Sequence, residues 1–276
     1  MLQRIVSGVV ALAIVLPVLF FGGVDGAKAL VGLVLFVVLY EFGPVASPER
    51  PRAAFGAMSL VGGGIYALMS WGGSQSSLIG VAMVLGVAIL LTWSMFAHED
   101  PEEGALSGAV TAISVSYIAA AMAFIGLVRG FQPDGLQWLL YVLIATWATD
   151  TGAYFAGRFF GKTKLIERIS PKKTWEGAIG GLVLSVVGAL VIRSLDPALS
   201  PGGIERVAWH HIAALGALIH VSGVVGDLVE SLFKRAHGIK DSGWIMPGHG
   251  GILDRMDSII FTAPVTWIYA SYFGLG

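Results

Sequence analysis

Apolar stretches of about 20 residues recur from one end of this chain to the other, each long enough to cross a hydrocarbon core about 30 Å thick. Such a chain has few options. Backbone N–H and C=O groups find no water in lipid, so each segment must satisfy them internally as a helix or close into a barrel. The stretches are 4–21, 27–46, 54–71, 77–97, 105–128, 136–157, 175–195, 207–233 and 254–274. They predict an all-α, polytopic membrane protein with about nine transmembrane helices. Composition agrees: 55% of the 276 residues are hydrophobic and 13% are charged, which excludes an ordinary soluble domain. The first stretch, MLQRIVSGVVALAIVLPVLFF, has a long apolar run with no A-x-A-like site after it. It is expected to stay as a span and not to be cleaved as a signal peptide.

The net charge of −1 says little, but the placement of the bases says more. With nine spans, the amino terminus and the even-numbered loops share one side. That side carries thirteen Lys and Arg residues, from Arg4 to Arg255, and the other only Lys28, Arg129, Arg193 and Arg206. The asymmetry predicts a cytoplasmic amino terminus and an external carboxyl terminus. The chain has no cysteine, so disulfides and thiol chemistry are excluded.

Two regions differ in character. Residues 1–130 are Gly/Ala/Val/Leu-rich spans with short loops, suited to close helix packing and expected to form a scaffold. Gly62–Gly64 and the run GGSQSS at 72–77 are expected to break helices or turn the chain, and HEDPEEG at 98–104 to be a solvated connector. In residues 131–276, polar side chains crowd into 146–177 and 226–257, both at cytoplasmic helix ends and loops. Any chemistry is expected there.

Several of these charges stand where lipid would penalise them. Asp150 is about two turns inside the sixth stretch, a depth that marks a functional site or a paired structural charge; Arg158, eight residues on, is a candidate partner. Asp227, Ser231 and Lys234 are spaced i, i+4, i+7 and share a helix face. Glu230 and Lys234 are also four apart, in the order that makes an ordinary surface ion pair, so spacing leaves both readings open. Asp254 and Asp257 are three apart at the start of the last stretch. The helix dipole favours one carboxylate there. It explains less well a pair on one face, with Asp227 able to approach from the preceding helix. Hard oxygen ligands that converge in this way suit Mg²⁺.

Bases surround these acids. Lys172 and Lys173, in SPKKTWEG, precede a helix whose free N–H groups face the same side, and Lys234, Arg235, Lys240 and Arg255 lie around the acidic trio. The positive-inside bias accounts for the sign of these residues but not for the interleaved Asp. Acids that hold a metal beside bases that hold phosphate form the layout of phosphoryl or nucleotidyl transfer. His249, between glycines in PGHGG, is a candidate phosphate ligand or a loop hydrogen bonder. The other histidines have no metal-like spacing with acids.

The segment SLFKRAHGIKDSGWIMPGHGGILDRMD, residues 231–257, resembles the signature of the phosphatidate cytidylyltransferases, also called CDP-diacylglycerol synthases. Its Ser, Lys-Arg, Lys-Asp, His-Gly-Gly and Asp-Arg-x-Asp stand at the family's spacing, with Met246 where Leu, Ile or Phe is more usual. The block 150–177 resembles a second typical segment of the same family. The resemblance implies a bacterial inner-membrane enzyme that condenses CTP with phosphatidic acid to give CDP-diacylglycerol and pyrophosphate. It also implies a divalent cation, Mg²⁺ with room for a second cation, a homodimer, and no nucleic-acid partner. Carried over residue by residue, it puts the metal on Asp227, Asp254 and Asp257. Catalytic roles fall on those acids with Ser231 and Lys234, and substrate phosphates on Lys172, Lys173, Arg235, His249 and Arg255. Asp150 matches the family's membrane Asp, and whether it meets metal, lipid or only protein stays open.

Two alternatives compete. One is another membrane enzyme of nucleotide or phosphate chemistry: a CTP-dependent lipid kinase, or a CDP-alcohol phosphotransferase, whose DG…AR…G…D…D pattern is absent here. The other is a cation or solute transporter using intramembrane Asp residues. Transporters often pair discontinuous helices in two halves, whereas here the polar chemistry is confined to one half and one side.

Overall fold

The computed structural model describes residues 2–47, 49–72, 76–199, 204–243, 245 and 250–276. The nine predicted stretches each become a helix: α1 (Leu2–Phe21), α2 (Gly23–Ala46), α3 (Pro51–Trp71), α4 (Ser76–Ala97), α5 (Pro101–Arg129), α6 (Gly135–Phe160), α7 (Trp175–Leu199), α8 (Trp209–Ala236) and α9 (Leu253–Tyr272). Among the described residues, six segments are long and apolar enough to cross a membrane, in α2, α3, α4, α5, α7 and α8. The described apolar run of α1, Ser7–Phe21, is shorter. In α6 and α9 the hydropathy is diluted by polar and aromatic side chains, among them Asp150 and Arg158 in α6 and Asp254, Arg255 and Asp257 in α9. The architecture is that of a multi-pass membrane protein.

Two details depart from expectation. Gly62–Gly64 does not break α3, which runs through it to Trp71. Gly62 is instead a packing contact, since a Cβ there would press within 3.1 Å of Leu39 and 3.2 Å of Val115. The fold is also not purely α-helical. An antiparallel hairpin, β1 (Lys164–Ile166) and β2 (Ser170–Thr174), pairs Lys164 with Thr174 and Ile166 with Ser170. The run 72–77 falls between the end of α3 at Trp71 and the start of α4 at Ser76, and its residues 73–75 lie outside the described ones.

Local chemistry sets several helix starts. Pro101 opens α5, where its missing N–H costs nothing, and the Asp100 side chain accepts the Glu103 N–H at 3.2 Å. Thr174 does the same for α7, its Oγ1 accepting the Gly177 N–H at 3.1 Å. Glu176 reaches back to accept the backbone N–H groups of Lys162 and Thr163, at 3.1 and 3.2 Å. The hairpin is thereby fastened to the first turn of α7.

Contacts divide the chain into two compact units, Met1–Gly126 with Asp241–Asp254, and Leu127–Lys240 with Arg255–Gly276. In the first, Leu35, Leu39, Met58, Ile65, Leu90 and Met122 are fully buried. Ser107 Oγ donates to the Ala46 carbonyl at 2.6 Å, joining α5 to the end of α2. In the second, the buried centre includes Trp138, Leu139, Tyr141, Ile212 and Leu215, and the Tyr141 hydroxyl donates to the Ile212 carbonyl at 2.7 Å. Small residues bring its helices together. A Cβ on Gly180 of α7 would fall onto Ala156 of α6, and one on Gly226 of α8 would come within 2.5 Å of the Asp257 carbonyl of α9.

Candidate active site

In the second unit, α6, β2, α7 and α8 enclose a cavity of about 320 Å³. Asp150, Tyr154, Lys172, Lys173 and Asp227 line it, with Thr149, Thr174 and several small residues completing the wall. Each polar residue arrives there for a local reason. Asp150 lies well inside α6, and the hairpin, held by Glu176 and Thr174, lays Lys172 and Lys173 over the mouth. The close approach at Gly226 brings α8 and α9 together and sets Asp227 beside the start of α9.

Lys173 Nζ pairs with Asp227 Oδ2 at 2.7 Å, each side chain about one third exposed or less. Ser231 Oγ donates to Asp227 Oδ1 at 3.3 Å, so the predicted face of α8 is a bonded one. Asp257 accepts the Ser258 N–H at 2.6 Å, and Ser258 Oγ donates to the Gly223 carbonyl at 3.3 Å, tying α9 to α8. Arg255 and Lys173 exert their charges on Asp150 from inside the same unit. Arg158 does not serve as its partner; its Nη1 donates to the Tyr154 hydroxyl at 2.8 Å.

The carboxylates of Asp227, Glu230 and Asp257 each offer an oxygen within 4.8 Å of the others. Glu230 is the residue sequence reasoning missed. Its spacing to Lys234 suggested a surface pair, and that pair exists at 2.5 Å, but both side chains are largely buried, 7% exposed for Glu230 and 15% for Lys234. A buried ion pair beside two further carboxylates is not a solvated face and makes Glu230 a candidate site residue. The i, i+3 spacing from Asp227 was the available signal. The oxygens of Asp227, Glu230 and Asp257, hard donors that converge in this way, fit a divalent cation.

Asp254 is held in the first unit. Its Oδ2 accepts the Ser242 N–H at 2.9 Å and the Gly251 N–H at 2.8 Å, and its own N–H donates to Ser242 Oγ at 3.3 Å. Gly250 has φ of +84°, a left-handed conformation that favours glycine, and a Cβ there would come within 2.6 Å of Asp254 Oδ2. Gly250 and Gly251 therefore shape the chain around a carboxylate. His249 and Met246 themselves lie outside the described residues. Arg235 is exposed, its Nη1 directed to the Ile239 carbonyl at 3.3 Å, and Arg255 is exposed at the start of α9. The structure thus brings Asp150, Lys172, Lys173, Asp227, Ser231, Lys234 and Asp257 together in one unit and adds Glu230.

Comparison with known proteins agrees over nearly the whole chain. Residues 2–273 match the model of a family described as the cytidylyltransferase family. A phosphatidate cytidylyltransferase from Brucella suis is 34% identical, covering 98% of this chain and 93% of the relative. One from Haemophilus influenzae is 34% identical over 98% of this chain and 97% of its own length. One from Bacillus subtilis is 32% identical over 99% and 98%.

Proposed function

The chain belongs to the cytidylyltransferase family, and we propose that it makes CDP-diacylglycerol at the cavity lined by α6, β2, α7 and α8 and at the acidic cluster of α8 and α9 beside it. It is a phosphatidate cytidylyltransferase, joining CTP to phosphatidate with release of pyrophosphate. The observation that carries the placement is the convergence of Asp227, Glu230 and Asp257 beside Lys173 and Lys234 in one unit.

Asp227, Glu230 and Asp257 would hold a divalent cation, Mg²⁺ in our reading, which when bound supplies charge neutralisation and orientation to the triphosphate oxygens. The lysines have a second use for their charge. Lys173 and Lys234 pair with Asp227 and Glu230, and phosphate oxygens compete for the same ammonium groups. Lys172 and Lys173, carried on a hairpin strand, can bind substrate phosphate and stabilise the negative charge that builds on departing pyrophosphate. Ser231 orients Asp227, and Asp150 lines the cavity.

In the reaction, a phosphate oxygen of phosphatidate bonds to the α-phosphorus of CTP. The bond from that phosphorus to the oxygen bridging to the β-phosphorus breaks, in line, and the electron pair leaves with pyrophosphate. A phosphate monoester carries most of its negative charge at pH 7, so no strong general base is required. Positioning and electrostatics carry the rate. Asp254, Arg255 and His249 enter this reading through the Asp-Arg-x-Asp and His-Gly-Gly signature, Asp254 serving the metal–nucleotide complex. Arg235 enters through Lys-Arg, as a phosphate contact.

The site is assigned to the cytoplasmic face of a bacterial inner membrane, because thirteen of the 17 basic residues fall on its side. Residues 1–130 serve as scaffold, and the family resemblance supports a homodimer. The test is direct. Purified protein with CTP, Mg²⁺ and phosphatidate should yield CDP-diacylglycerol and pyrophosphate, and should consume no CTP when the lipid is omitted. Steady CTP hydrolysis without lipid would point to a different acceptor. Asp254→Asn should abolish turnover in a folded protein, and near-normal activity would remove that residue from the site.

A further inference from the structure

One buried acid lies far from the signature in sequence. Glu41 stands near the end of α2, in the apolar run LFVVLYEFGPVA, and is 3% exposed. A carboxylate in such a place is costly unless its oxygens are bonded. Among the described residues its hydrogen-bond partners are backbone amides, 204 and 211 residues along the chain. Oε1 accepts the Ile245 N–H at 3.2 Å and Oε2 the Ile252 N–H at 2.7 Å, with the Leu253 N–H also acting on it. Ile252 immediately precedes α9 and Leu253 opens it, so their amides are donors with no partner inside the helix. Glu41 caps that helix from another one.

The segment 241–254 is tied twice as a result. Asp254 joins Ser242 to Gly251, and Glu41 joins Ile245 to Ile252. The second tie has been given room. A Cβ on Gly243 would collide with the Glu41 carboxylate, and one on Gly251 would come within 2.8 Å of Glu41 Oε2. An acid buried solely to strengthen α2 would need none of this.

We infer that Glu41 is a positioning residue that holds Ile245 against the Ile252–Asp254 entry to α9 for use of CTP. It touches no reacting atom and acts through the loop that presents Asp254. The loop joins the end of α8 to the start of α9 and carries the exposed Asp241, so a water-soluble substrate suits it better than an acyl chain. The inference rests on the reading of Asp254 as part of the nucleotide site.

The experiment measures the two substrates separately on the full chain in lipid nanodiscs. Glu41→Gln keeps the size of the side chain but replaces one accepting oxygen with a donor, breaking one of the two amide contacts. The KM for CTP should rise about tenfold or more, the range seen when supports of a functional group are removed. The KM for phosphatidate should stay within about twofold and the melting temperature should not move. An unchanged KM for CTP overturns the inference, as does an equal loss for both substrates together with a lower melting temperature. Gly243→Ala, which pushes on the same carboxylate without removing it, is the second variant if Glu41→Gln does not fold; a normal KM for CTP in it also overturns the inference. Asp254→Asn separates the two levels. If it remains active, the nucleotide-site reading fails; if it is inactive while Glu41→Gln has a normal KM for CTP, only the positioning role fails.

Discussion

Lys173 Nζ lies 2.7 Å from Asp227 Oδ2, an ion pair between a surface hairpin and a membrane helix. The pair joins the two sequence blocks richest in polar residues, and Lys173 and Asp227 themselves are more than 50 positions apart in the chain. It places a base and an acid, for which we propose phosphate and metal binding, at one cavity. The same ammonium group can serve the carboxylate and a substrate phosphate in turn.

Lys173→Ala should lower kcat/KM about 100-fold, the scale for losing one preorganised donor to developing charge. Steady-state kinetics over both substrates checks this. If Lys173 only neutralises Asp227, neither KM nor kcat will move by more than about twofold.

Glu230→Gln should weaken the cation site. The Mg²⁺ concentration for half-maximal activity is expected to rise at least about tenfold, with chelation abolishing turnover and added Mg²⁺ restoring it. An ordinary Glu230–Lys234 surface pair would leave the Mg²⁺ titration unchanged, because such pairs contribute little.

Thr174→Val removes the side-chain cap of α7 while keeping its bulk. A loss of about 1 kcal/mol in stability is expected, read as a lower melting temperature. Because β2 carries Lys172 and Lys173 directly before this residue, kcat/KM should fall as well. Lower stability with unaltered kinetics would mean that the hairpin is placed by other contacts.

Gly226→Leu tests the approach of α8 to α9. A side chain there meets the Asp257 carbonyl and the Phe261 ring, and overpacking of this kind costs about 1–3 kcal/mol. A thermal melt in detergent measures the loss, and Mg²⁺-dependent activity should fall with it as Asp257 is displaced from Asp227.

Much of the site was legible because its residues break the rules of their surroundings. Asp150, Asp227 and Asp257 are carboxylates in or at the edge of apolar helices, and spacing placed Ser231 and Lys234 on the face of Asp227. Glu230 was harder to see, since an i, i+4 acid–base pair is what an exposed helix also shows; only its burial separates the two cases. The Gly62–Gly64 run misled for a related reason. Glycine weakens a helix in water, but in a membrane helix it is also how two backbones come close, and a single sequence does not say which applies.

The sequence by itself determined how many long helices there are and roughly where each lies, because lipid demands about 20 apolar residues and internal hydrogen bonds from every span. It also placed the chemistry in two polar blocks. Only the tertiary structure decided which acids meet: Glu230 joins Asp227 and Asp257, and Asp254 is held by Ser242 and Gly251. It likewise revealed that Glu41, an acid within an apolar stretch, answers amides more than 200 residues away. Periodicity reports which face of a helix a residue occupies. What lies opposite that face depends on how the helices pack, and no local pattern encodes it.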